Sequence, residues 1–131
     1  MSAIYIAPPT PPITTTTQEI GYLYAAGFIQ GNGANSFVNG ATVVRNGVGQ
    51  YTVTFDTPHP NGANYAVNLT SHEDGAARDS PYIHVVDGTQ TAAGFDVYIA
   101  TGDNGGTADV LNDTPWSFHV HHLVTVVTGV V

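Results

Sequence analysis

Three stretches of the chain alternate apolar and polar residues with a period of two. Tyr51, Val53 and Phe55 are separated by Thr52 and Thr54. Tyr65, Val67 and Leu69 are separated by Ala66 and Asn68. Phe95, Val97 and Ile99 are separated by Asp96 and Tyr98. Period two places one set of side chains on a buried face and the other in water, which predicts strands. Ala41 to Arg45, Pro81 to Val86 and the long apolar run Trp116 to Val127 are further strand candidates. Between these runs lie Asn39-Gly40, Asn46-Gly47, Asn61-Gly62, Asp87-Gly88 and Asp103-Asn104-Gly105-Gly106. Such pairs tolerate the positive φ of tight turns. Short strands punctuated this often predict an all-β fold, an antiparallel β-sandwich of jelly-roll-like arrangement.

Two segments read differently. Residues 1–17 contain Ile4-Tyr5-Ile6, then Pro8-Pro9-Thr10-Pro11-Pro12, then Thr14 to Thr17. Clustered prolines remove backbone donors and hold the chain extended. The stretch is expected to be an extended arm, with Ile4, Tyr5 and Ile6 as an apolar anchor, and the sandwich is expected over 18–131. Within the latter, residues 18–30 are ambiguous. Ile20, Leu23, Tyr24 and Phe28 fit a helical stripe, whereas Gly21, Gly27 and the aromatics fit a strand equally well.

Composition narrows the function. Ten acidic residues against two basic ones, Arg45 and Arg78, give a formal net charge of -8. That balance disfavours nucleic acid, which is bound by displacing counterions with cations, and also anionic membranes. With no cysteine, neither disulfides nor thiolate metal sites are available. The N-terminus shows no basic region followed by an apolar core, so no secretory signal is expected and assembly in a cytosol fits. No apolar run is long enough to cross a bilayer as a helix. The run Leu123 to Val131 carries no charge to guard a strand edge. It should therefore be central in its sheet or covered by another subunit.

The stretch from Ser36 to about His122 carries a resemblance in three ordered pieces. These are Gly49-Gln50-Tyr51-Thr52-Val53-Thr54-Phe55, then Pro58, Pro60 and Ala63-Asn64-Tyr65-Ala66-Val67, then Thr91-Ala92-Ala93-Gly94-Phe95-Asp96-Val97. Together they resemble the distal domains of phage and large-virus tail-fibre and capsid-decoration proteins. The resemblance implies a homotrimeric β-sandwich akin to the tumour-necrosis-factor/C1q fold. It further implies a virion location after assembly in the host cytoplasm, and a role in binding a host-surface glycan or protein or in decorating the particle. A fibre tip would be expected to follow a long shaft. The short arm here instead favours decoration, with the arm contacting other virion proteins.

Candidate chemistry is sparse. His119 and His121 share one strand face with Ser117 and Leu123, while His122 points the other way with Trp116, Phe118 and Val120. Two histidines at i and i+2 can both ligate a metal, and three copies around a trimer axis would supply six nitrogens. That is the one cofactor expectation. Asp74, Asp79, Asp103 and Asp109 lie in expected loops beside Tyr82, Tyr98 and Trp116. Asp74, Asp79, Tyr82, Asp103, Asp109 and Trp116 are the expected ligand-binding set, suited to sugar hydroxyls. No Gly-x-Ser-x-Gly elbow or phosphate loop is present, so the chain is expected not to be an enzyme. A lectin-like module and a metal-binding sandwich enzyme are the alternative functions.

Overall fold

The computed structural model describes residues 4–8, 15–72, 81–101 and 110–130. Nine strands account for its regular structure: β1 (Thr15–Ile29), β2 (Asn35–Asn39), β3 (Ala41–Gly47), β4 (Gln50–Phe55), β5 (Val67–Ser71), β6 (Pro81–Val85), β7 (Gly94–Thr101), β8 (Val110–Leu111) and β9 (Trp116–Val130). They form two sheets, ordered β2-β1-β9-β5 and β3-β4-β7-β6, with β8 on β7. The chain passes between sheets after β2, β4, β5 and β8, as a jelly-roll-like antiparallel sandwich does and a simple meander does not.

The chain divides into two compact units, Met1–Gly21 with Leu123–Val131, and Tyr22–His122. In the first unit Leu123 lies against Gly21, and the arm residues Ile4, Tyr5 and Ile6 are 88, 85 and 83% exposed. The arm is shorter than the sequence suggests: Thr15, Thr16 and Thr17 already belong to β1. The ambiguity over 18–30 resolves as strand. Pairing decides it, because β1 takes β2 on one side, from Ala26↔Asn39 to Ile29↔Asn35, and β9 on the other. β5 begins at Val67, so Tyr65 lies outside the strand. Its hydroxyl instead donates to Thr91 O at 2.8 Å and Gly94 O at 3.0 Å. Burial pushes that phenol up to about 12, so it remains a proton donor at any ordinary pH.

The second unit holds the core. The expected inward residues are inward: Tyr51, Val53 and Phe55 from β4, Phe95, Val97 and Ile99 from β7, and Trp116, Phe118 and Val120 from β9, closed by Ala25 and Ile29 of β1. The first sheet supplies Trp116 and Phe118 and the second Tyr51 and Phe95. Their rings meet across the interior at 5.1 Å (Tyr51–Trp116) and 6.0 Å (Phe95–Phe118), in the tilted and edge-to-face arrangements that aromatic pairs prefer. At the β3–β4 hairpin the residue in the left-handed region is Gly49 (φ 65), not Gly47. A Cβ there would lie 2.3 Å from Ile99 O.

Candidate binding surfaces

Residues that alternate with the core side chains of β4 and β7 face outward, and register brings them together. Gln50 pairs with Tyr98 and Thr52 with Asp96. On the other side of β7, His84 pairs with Tyr98 and Tyr82 with Ala100. Tyr82, His84 and Tyr98 thereby become a patch of three rings, with centroids 5.1 Å (Tyr82–His84), 5.4 Å (His84–Tyr98) and 6.3 Å (Tyr82–Tyr98) apart. Next to it runs a chain of hydrogen bonds. Asn46 Nδ2 donates to Thr52 Oγ1 at 2.8 Å, and Thr52 Oγ1 donates to Asp96 Oδ1 at 2.8 Å. The Asp96 amide is held by Thr89 Oγ1 at 3.0 Å, which itself donates to Val86 O.

Of these groups Asn46, Gln50, Asp96 and Tyr98 line an open cleft of about 340 Å³, together with Val86, Leu111, Tyr51 and Val97. Apolar walls with a few convergent polar groups are the usual make-up of a small-molecule site. Of the expected ligand-binding set, Tyr82 belongs to the ring patch beside this cleft. Asp96, Gln50 and Asn46 were not foreseen as site residues. Only the placement of Asp96 on the wet face of its strand hinted at them.

Trp116 must be withdrawn from that set. It is fully buried between Tyr51 and Phe118 and cannot touch a ligand at the surface. Its indole N–H is itself buried without an acceptor among the described residues. Asp74, Asp79, Asp103 and Asp109 lie outside the described residues.

The described acid of the same region, Asp113, has a structural task. Its carboxylate accepts from Arg45 Nη2 at 2.6 Å and Arg45 Nε at 3.1 Å, from Gly49 N at 2.9 Å and from the Tyr51 hydroxyl at 2.9 Å. It thus ties the approach to β9 to the β3–β4 hairpin. Partial burial pushes its pKa up, but the bonds from Arg45, Gly49 and Tyr51, with the guanidinium charge, outweigh this and hold it below the usual range. Burial, and then the bond to Asp113, push the Tyr51 phenol far up.

Because folding lowers the Asp113 pKa, its contribution is complete above the ordinary value of 3.8 and is lost as pH falls through the folded value. Asp113→Asn is therefore expected to destabilise the fold by about 2 kcal/mol at neutral pH. It should also flatten the loss of stability below about pH 4. Urea unfolding of both proteins across pH 3 to 7 measures this; parallel pH profiles would contradict it.

His119 and His121 are both exposed, on the face opposite to Phe118 and Val120, as alternation predicts. His119 pairs with Asn68 of β5. Among the described residues of one chain, no three His, Asp or Glu groups come together to hold a metal. A shared ion would need several copies to supply the ligands. His122 turns the other way, toward His59 and Tyr24, with ring centroids at 5.4 and 6.3 Å.

His59 has no counterpart among the sequence-derived candidates, yet it is nearly fully buried. Its Nδ1 accepts from Asn61 N at 3.1 Å, and its Nε2 lies 3.3 Å from His121 O. That pattern fits the neutral ring with its proton on Nε2. Tyr24 donates its hydroxyl to the carbonyls of Thr57 and Pro58 alongside. The Pro58-His59-Pro60 sequence was the available signal, since flanking prolines fix the backbone around one polar side chain. The group is a packed polar plug at the core's rim, with both ring nitrogens in use.

Compared with family models, with curated protein sequences and with solved structures, the chain matches none. Fold and surface together define an all-β sandwich with a preformed cleft on the outer face of one sheet.

Proposed function

We propose that the chain is a non-enzymatic structural and recognition protein of a virion surface, working as a homotrimer. The arm with Ile4, Tyr5 and Ile6 attaches it to other virion proteins, and the sandwich is displayed outward. The virion setting draws on the resemblance of the Gly49–Phe55, Ala63–Val67 and Thr91–Val97 segments to fibre and decoration domains. The oligomeric state draws on one observation of strand pairing.

That observation concerns β1 and β9, each of 15 residues. β2 covers the outer side of β1 only from Ala26 to Ile29. β5 covers that of β9 only from Trp116 to Val120. Among the described residues the remaining length of each strand has no partner on its outer side. Such an edge is a template for another chain, and proteins usually protect it with charge or proline. β9 carries no charged residue at all, and β1 carries Glu19 alone. A two-stranded ribbon is also marginal by itself in water. Neighbouring copies that cover these edges meet both needs.

Amide hydrogen exchange resolved to single residues tests this. In an isolated antiparallel pair, alternate amides point away from the partner and exchange quickly. Covered edges predict protection at consecutive residues of 18–25 and 121–129. Strict alternation of fast and slow amides through both stretches would refute the reading.

A lectin-like binding module is a second reading, favoured by the cleft over β3, β4, β7 and β8. It differs from the first in needing no particle. A metal-dependent enzyme has no observation in its favour.

A further inference from the structure

We propose that the cleft on the outer face of the second sheet binds a neutral pyranose sugar, stacked on Tyr98 and hydrogen-bonded by Asp96, Gln50 and Asn46. The inference rests on the reading of the chain as a recognition protein, and it moves the site from the loops to the sheet.

A pyranose has an apolar C–H face and a rim of vicinal hydroxyls, and the cleft offers a surface for each. Tyr98, half-buried and braced by the rings of His84 and Tyr82, supplies a fixed flat platform. Its position is set by two neighbours in the ladder, Gln50 and His84, so stacking on it costs little conformational entropy. Asp96 accepts the Thr52 hydroxyl on Oδ1, while its other oxygen meets no protein donor among the described residues. A carboxylate oxygen of this kind accepts from sugar hydroxyls. Gln50 and Asn46 are exposed carboxamides on the same wall, and each offers both a donor and an acceptor, as a hydroxyl requires. The cleft, about 340 Å³, is at the small end of ligand sites and suits a single sugar ring.

Charge excludes the acidic sugars. Among the described residues, Asp96 is the only ionised group lining the cleft, and no Lys or Arg lines it. Arg45 is engaged by Asp113 at 2.6 Å. A sialic or uronic acid would bring its carboxylate toward Asp96 with no cation among the described lining residues to offset it.

Saturation-transfer NMR and titration calorimetry on the full chain test this. The probes are the methyl glycosides of glucose, galactose, mannose and N-acetylglucosamine, with methyl N-acetylneuraminate and choline beside them. At least one neutral glycoside should bind, with saturation strongest on its C–H face. Tyr98→Ala should weaken it by about tenfold or more, whereas Tyr98→Phe, which keeps the ring, should stay within about threefold. Asp96→Asn, which keeps an acceptor for Thr52, should weaken it by roughly tenfold.

Failure of every neutral glycoside to bind would overturn the site. So would preference for the acidic sugar or for choline, or binding untouched by Tyr98→Ala in a variant of unchanged circular dichroism. Mass measured on the same samples separates this from the oligomeric reading. A monomer that binds a glycoside keeps the site and removes the oligomer; a native oligomer that binds none removes the site alone.

Discussion

Replacing Trp116 by alanine is expected to lower the unfolding free energy by about 3–5 kcal/mol, the usual cost of removing a large buried aromatic side chain. Trp116 is fully buried where β9 crosses the core, against Tyr51 of the opposite sheet and Phe118 two residues on. No neighbouring element can collapse easily into the gap, because Tyr51 is itself held at its hydroxyl by Asp113. The loss is comparable with the whole stability of many domains. Trp116→Phe should cost less, about 1–2 kcal/mol. It keeps most of the packing and removes an N–H that meets no acceptor among the described residues. Urea unfolding at one fixed protein concentration compares the three proteins, since association shifts the midpoint. An alanine variant as stable as the parent would show that this ring is not central to the core.

Gly94→Ala should be as damaging for a different reason. Gly94 opens β7 at φ 148, opposite Thr54 of β4, and exchanges backbone hydrogen bonds with Thr91. A Cβ at this position would lie 1.9 Å from Val53 O. The substitution must therefore push β4 and β7 apart as well as strain the backbone, at a cost of about 3 kcal/mol or more. Gly62→Ala is the contrast. Gly62 is also left-handed (φ 64), but nothing lies within 4 Å of the added Cβ. Its cost should be that of the backbone conformation alone, roughly 1 kcal/mol. Thermal unfolding of the pair checks the difference; equal shifts would mean that the close approach to Val53 is relieved without strain.

The core was legible wherever a strand has one buried and one wet face. Tyr51, Val53 and Phe55, and Phe95, Val97 and Ile99, were placed correctly because alternation reports burial directly. β1 was not decidable in this way. Its glycines and aromatics satisfy two periods at once, and the pairing with β2 and β9 that selects the strand is non-local. β2 is hidden because Ser36-Phe37-Val38 is too short to show a period between Gly33 and Gly40. The sequence offers Trp116 two incompatible places, as a loop-flanking aromatic and as the first member of the Trp116, Phe118, Val120 face, and burial selects the second.

The cleft was not legible. Asn46, Gln50, Asp96 and Tyr98 come from three strands, and no local spacing connects the strands. Cross-strand register brings them together, and register is set by the turns and the core rather than by the outward residues themselves.

On the proposed function, copies of the chain cover the long edges of β1 and β9. Sedimentation equilibrium of the full chain at micromolar concentration tests it most directly. A single species of three times the 13.7 kDa of one chain is expected. A folded species at 13.7 kDa that stays monomeric as concentration rises would contradict it.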